Sequence, residues 1–229
     1  MQPKGGFDPN ILAFDTSGPY ISAAVFCDGI LAETHTEMAR GQAENLMAVL
    51  GDVLSEANGA LDQLDAIAVG IGPGNFTGIR ISVAAAKGLA CGLGVPLIGV
   101  SMFEAALDPD GPLAEPALVV SVAAPRNQAY VQPFRYGRPT APARIVDPNA
   151  PPADLALPAN MKVRGAHADA IAAHFGASFQ ASQASRVARN IATMADIKFR
   201  DDTFERASNP MYVRPPDAAP SASPKVRII

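Results

Sequence analysis

Tryptophan is absent from this 229-residue sequence, aromatic residues make up 6%, and only three histidines and two cysteines occur. With so few rings and no interleaving of basic and aromatic residues, there is no stacking platform for single-stranded nucleic acid. His35 is isolated. His167 and His174 stand seven apart on one side of a short predicted helix with no third ligand nearby. Metal-binding pairs at i, i+4 are missing, so no metal site is expected and the histidines read as exposed or capping residues. Cys27 and Cys91 lie in apolar surroundings. They read as small buried residues of a reducing compartment, not as a disulfide. No G-x-S-x-G elbow and no G-K-[ST] loop is present, so neither an α/β-hydrolase nucleophile nor a Walker loop is available. No apolar run reaches about 18 residues, the usual membrane-spanning length. The first ten residues, MQPKGGFDPN, lack the apolar core of a secretory signal. A cytoplasmic protein without a membrane anchor is expected. Its formal net charge of −4 is the wrong sign for a chain that holds nucleic acid unaided.

What the sequence does hold is a sizeable core: 48% hydrophobic and 17% charged residues, which exclude wholesale disorder. Of 19 glycines, 15 precede residue 105; of 21 prolines, 16 follow it. Tight turns and close packing therefore belong to the first part, and irregular, proline-punctuated chain to the second. The expected division is a first unit over residues 1–107, a second over 108–214 and a disordered Pro/Ala/Ser-rich tail over 215–229.

Strands are expected at residues 11–15, 21–27 and 30–36, with Asp28-Gly29 as a hairpin turn. Residues 42–57 form an amphipathic helix, with Ala43, Leu46, Met47, Leu50, Val53, Leu54 and Ala57 at helical spacing. A buried strand follows at 66–71, then a glycine-rich loop, a long helix capped by Thr77, a strand at 96–100 and a short helix capped by Ser101. A meander feeding parallel strands through helices implies a mixed sheet with helices on both faces. In the second part, 117–122 and 129–134 read as a hairpin-like pair and 138–158 as loop. Residues 161–165 read as a weak strand, with helices at 168–175 and 185–197. The strand–turn–strand start at Ile11 is repeated, more poorly, at Leu118.

The long helix after the glycine loop carries Arg80, Ala84, Lys87 and Cys91 along one line, with Ala85, Gly88 and Gly92 beside it. Small residues in such a stripe allow close approach of another backbone, either the helix's own sheet or a partner. Arg80 near the helix N-terminus opposes the dipole, so an anion or a partner carboxylate is expected to offset it. Gly72, Gly74 and Gly78 miss G-x-G-x-x-G because residue 77 is threonine. The loop is either a tight strand-to-helix turn or an anion cradle. Asp15-Thr16-Ser17 at a strand end is either an Asx/ST turn or the carboxylate side of a metal–phosphate site.

The segments ILAFDTSGPYISAAVF, GQAENLMAVLGDVL, GIGPGNFTGIRISVAAAKGLA and PMYVR, in this order and spacing, resemble the bacterial TsaB (YeaZ) family. The likeness is strong over the first 107 residues and fades to pattern beyond them. It implies an α/β fold of the actin, sugar-kinase and Hsp70 superfamily with a degenerate second lobe. It also implies a role in forming N6-threonylcarbamoyladenosine at position 37 of tRNAs. In that role the chain is a non-catalytic subunit, paired with a TsaD-type catalytic subunit and joined by a TsaE-type ATPase, with tRNA held through the complex. No catalytic residue, metal or cofactor is then expected in the isolated chain, and ATP with Mg²⁺ only in the assembly. Where catalytic relatives carry H-x-x-x-H, this chain has Gln42-Ala43-Glu44-Asn45-Leu46; where relatives show an I-D-A-R-like start to the second lobe, it has Val122-Ala123-Ala124-Pro125-Arg126. The resemblance places Leu46, Met47, Leu50, Arg80, Ala84, Lys87 and Gly88 at or beside the partner face, and Asp15, Thr16 and Ser17 at a vestigial nucleotide site. A homodimer through the same helices is expected when the partner is absent. The alternatives are an active small-molecule kinase of the superfamily and, with less support, a peptidase of the M22 type.

Overall fold

A computed structural model describes residues 8–107, 115, 117–155, 161–181, 186–204 and 208–213. The expected tail over 215–229 lies outside these residues. The chain opens with three antiparallel strands, β1 (Ile11–Asp15), β2 (Tyr20–Phe26) and β3 (Ile30–Glu37), and continues through helix α1 (Gln42–Glu56). Strand β4 (Ala66–Gly70), helix α2 (Phe76–Leu93), strand β5 (Leu97–Val100) and the short helix α3 (Met102–Ala105) complete the first part. The sheet order is β3-β2-β1-β4-β5, with β4 parallel to β1 and β5 parallel to β4.

The second part repeats the plan. Strands β6 (Leu118–Ala124) and β7 (Gln128–Arg135) form an antiparallel pair, flanked by β8 (Arg138–Pro139) and β9 (Arg144–Val146). Strand β10 (Lys162–Gly165), helix α4 (Ala168–Phe175), strand β11 (Ser178–Gln180) and helix α5 (Val187–Asp201) follow. Here the order is β11-β10-β6-β7-β8, again with parallel pairs on one side of the hairpin. Two corrections belong here. The stretch 138–158, expected as loop, contributes β8 and β9 to the sheet, and β11 was not expected. Both were hidden because two- and three-residue strands carry no readable alternation.

Strand alternation sorts the core into layers. Leu12 and Phe14 of β1 point to one side, packing with Leu46, Leu50, Val53, Ile79, Val83 and Ala86 of α1 and α2. Ile11 and Ala13 point to the other, into a cluster with Ile191, Ala192 and Met194 of α5, Phe103 of α3, and Leu118, Val120, Tyr130 and Phe134 of the second sheet. On the far side of that sheet, Val119, Val131 and Val163 pack with Ala168, Ile171 and Ala172 of α4. The layers therefore run α1/α2, first sheet, α5/α3, second sheet, α4, an arrangement of the actin and sugar-kinase type. Helix α5 follows the second unit in the chain but lies between the sheets.

The N-cap of α2 is Asn75, not Thr77: its side chain accepts from the Gly78 N–H at 3.0 Å. Helix α2 has 18 residues and mean hydropathy 1.2, long and apolar enough by those measures to cross a membrane. Arg80 and Lys87 interrupt it, so it is no unbroken apolar run. Its inner stripe is seated on the first sheet, as for the core helix of a globular protein.

Candidate functional site

The loop after β1 and the loop after β4 meet at backbone distance. An ideal Cβ on Gly78 would stand within bonding range of the Thr16 carbonyl oxygen, and one on Gly74 would stand 2.6 Å from that of Ser17. Both positions need glycine because no side chain fits there. Thr16 Oγ1 donates to the Gly78 carbonyl at 2.7 Å, and the Asn75 N–H donates to Ser17 O at 2.7 Å. The glycine loop therefore acts as a lock on the Asp15–Ser17 turn.

Asp15 is fully buried. Its Oδ2 accepts from Ser17 N at 3.0 Å, Ser17 Oγ at 2.8 Å and Tyr20 Oη at 2.9 Å. Oδ1 is buried without a hydrogen-bond partner and crowds the Cα of Gly70, where any Cβ would collide with it. Desolvation pushes the carboxyl above its ordinary range despite the three donors, and burial beside this carboxylate pushes the Tyr20 phenol up as well. Asp15, Thr16 and Ser17 thus form one turn in which Oδ2 is satisfied by Ser17 and Oδ1 is left without a partner.

Gln42 was read only as a replacement for histidine, and the structure shows what it does. Its Nε2 donates to the carbonyls of Gly18 at 2.8 Å and Tyr20 at 2.7 Å, bracing the β1–β2 loop from the first turn of α1. Tyr20 packs on His35 with ring centroids 4.7 Å apart. The His35 side chain is only 14% exposed, which corrects its reading as a surface residue. His167 is the N-cap residue of α4, though without a side-chain cap bond.

Between the sheets lies a cleft of about 270 Å³, lined by Ser17, Gly18, Tyr20, Gly74, Met102, Ala106, Val122, Ala123 and Asn190 among others, with no charged side chain among the described residues. A metal–phosphate group needs oxygen ligands, usually carboxylate, from both sides. Here one wall presents Ala123. Asp15 does not line the cleft: its Oδ2 is held by three donors and its Oδ1 is buried against Gly70. Among the described residues no group of three His, Cys, Asp or Glu could hold a metal ion. These residues do not fit the Mg²⁺–nucleotide group that the fold implies.

The outer face of α1 and α2 has a different character. Leu46 and Leu50 are each 2% exposed and belong to the core, so their expected place at a partner face is corrected. Both sides of α1 carry apolar residues, and periodicity alone could not set the phase. Met47 is 52% exposed. Around it Ala43, Ala48 and Gly51 are exposed on α1, and Ala84, Lys87, Gly88 and Gly92 on α2. The small stripe of α2 therefore faces outward while Ile79, Val83, Ala86 and Ala90 face the sheet. Cys91, expected to be buried, is exposed on the same stripe, and Cys27 is half-buried. Arg80, also exposed, finds no carboxylate among the described residues. Its guanidinium lies 3.8 Å from the centroid of the Phe76 ring, and its Nε donates to Tyr212 Oη at 3.2 Å. Tyr212 comes from the PMYVR segment, whose Met211 N–H donates to Ile71 O at 2.7 Å.

Comparison with known proteins matches residues 30–210 to the family described as TsaD, tRNA N6-adenosine threonylcarbamoyltransferase. The tRNA threonylcarbamoyladenosine biosynthesis protein TsaB of Escherichia coli is 39% identical over 92 residues, 40% of this chain and 39% of that protein. Its counterpart in Haemophilus influenzae is 34% identical over 95 residues, 42% of this chain and 40% of that protein. The chain thus spans about two-fifths of the length of these curated relatives. A crystal structure from Pseudomonas aeruginosa, described as similar to peptidase YEAZ, superposes with a TM-score of 0.72 at 25% identity, covering 90% of this chain and 100% of that one. The match to the family over most of the chain, the TsaB relatives and the shared two-sheet architecture agree: this chain belongs to the TsaD/TsaB (YeaZ) family of tRNA threonylcarbamoyladenosine proteins.

Proposed function

We propose that this chain is the non-catalytic subunit in the formation of N6-threonylcarbamoyladenosine on tRNA, working in the cytoplasm by pairing with a TsaD-type transferase. The observation that carries the reading is the contrast between its two surfaces. The cleft where a superfamily enzyme would hold its nucleotide is lined by uncharged residues. The outer face of α1 and α2 is exposed, small and apolar around Met47, Gly51, Ala84 and Gly88. A face of this kind lets another helix pair approach closely, and a patch left bare tends to be covered by a partner or by a second copy. Residue Gln42 supports the same reading, since it fills the place of a metal-ligand histidine with a brace for the neighbouring loop. A TsaE-type ATPase would join the pair. ATP and Mg²⁺ would enter only in the assembly, and tRNA would be held by the complex, consistent with a net charge of −4 here.

Reconstitution tests this directly. Modified tRNA is expected only when the chain is combined with the TsaD-type and TsaE-type proteins of the same cell, and the chain alone is expected to hydrolyse no ATP. Ala84→Arg should leave the circular dichroism spectrum unchanged and abolish assembly, because a long charged side chain cannot enter a close helix contact. Full product formation without the chain, or substrate-dependent ATP turnover by the chain alone, would reject the proposal. The second of these outcomes would favour the kinase alternative, which needs a carboxylate where Ala123 stands.

A further inference from the structure

We propose that Arg80 is a receptor for a carboxylate on the docked partner, held ready by residues 208–213. The inference rests on the partner reading above and adds which atoms meet. Arg80 stands in the first turn and a half of α2, where a cation opposes the helix dipole. It is nonetheless fixed in place. Its Cζ lies over the Phe76 ring, 3.8 Å from the centroid, and Nε donates to Tyr212 Oη at 3.2 Å. The Tyr212 ring lies 5.0 Å from the Phe76 ring. The segment is itself anchored just ahead of Tyr212, by Met211 N–H to Ile71 O at 2.7 Å and by Lys87 Nζ to Asn209 Oδ1 at 3.3 Å.

These contacts use the side, the face and the stem of the guanidinium. Among the described residues no hydrogen bond or ion pair engages Nη1 or Nη2. A guanidinium stacked on a ring and pinned at Nε, with its terminal fork free, is pre-organised for bidentate pairing with a carboxylate. Arginine and tyrosine so held are the residues that dominate protein interfaces. The setting selects a protein carboxylate. Arg80 stands on the same line of α2 as the exposed Ala84 and Gly88, the line against which the partner helix of that reading would pack. This chain's own α1 shows the type of group an equivalent helix presents, an exposed Glu44 in its first turn. A carboxylate there would also relieve the opposition between Arg80 and the helix dipole.

The test is a calorimetric titration of the full chain with the TsaD-type protein of the same cell. Arg80→Lys retains the charge but loses the fork and the stacking, and is expected to weaken binding about tenfold or more. Tyr212→Phe retains the ring and removes only the Nε partner, and about a threefold loss is expected. Both variants should keep the wild-type urea midpoint. If Arg80→Lys and Tyr212→Phe bind like wild type, this inference is overturned while the partner reading stands. If wild type itself does not bind, both are overturned. Inorganic phosphate, titrated into the free chain with the Arg80 Nε–H followed by NMR, is expected to cause no saturable shift. A saturable shift lost in Arg80→Lys would make the fork a phosphate receptor and overturn the carboxylate assignment.

Discussion

The two sheets are two versions of one plan, and they differ where chemistry would occur. In the first, β1 ends in Asp15 and the neighbouring parallel strand β4 ends in Gly70, whose missing Cβ makes room for that carboxylate. In the second, β6 ends in Ala123-Ala124, and the neighbouring β10 ends in Gly165, where a Cβ would meet the Ser121 carbonyl within bonding range. Both sheets keep the glycine that lets adjacent strand ends close together. Only the first keeps an acidic residue there, and it has turned that residue inward. Close packing is thus common to the two strand ends, while a carboxylate stands at only one of them. The helices diverge in parallel. The first sheet carries two long helices with a bare outer face. Among the described residues the second carries only the eight-residue α4 on its outer side, and α5 lies between the two.

If strand-end closure is the shared requirement, Gly78→Ala and Gly165→Ala should both be severely destabilising, by about 3 kcal/mol each. The methyl meets a backbone carbonyl in either case, and Gly165 also has φ +116°. Urea unfolding measures both; a loss confined to Gly78→Ala would show that the second sheet tolerates opening and break the comparison. Next in size is the contrast across α1. Leu46→Ala should cost about 2–4 kcal/mol as a core cavity, while Met47→Ala should stay within about 0.5 kcal/mol yet weaken partner binding. Equal effects on stability would mean the helix is rotated from the position described.

The smallest effect concerns Asp15 and sharpens the claim that its carboxylate is structural. Its folded pKa is raised above the unfolded value of 3.8. The group therefore favours the folded state most below the unfolded pKa, and that contribution is lost as pH rises through the folded pKa. Relative to wild type, Asp15→Asn should become progressively more stable as pH rises above about 4, until the folded pKa is passed. Urea midpoints across that range check it; a flat difference would show that the carboxyl titrates as it does in the unfolded chain.

Much of this was legible beforehand because local signals were strong. The alternation of β2, the 3.6-residue repeat of α1, the glycine loop and the Ser101 cap each predict one element. The cap is seen as a box, with Ser101 and Glu104 bonding each other's backbone at 2.8 and 3.1 Å. That residues 122–126 hold no carboxylate and residues 42–46 no histidine was equally visible, since absent residue types need no coordinates. The site was less legible. Tyr20 and Gln42 act through bonds to carbonyls that no spacing rule marks. Tyr212 reaches Arg80 across 132 residues of sequence.

By itself, the sequence determined the order of the longer strands and helices and the two-part composition, because these follow from residue type and period. Only the tertiary structure decided which side of α1 is core, that the small stripe of α2 faces outward, that α5 lies between the sheets and that Asp15 is buried with one oxygen held by three donors. Each of these depends on which surfaces meet, and a helix with apolar residues on both sides, or a carboxylate at a strand end, has no preference until its neighbours are in place.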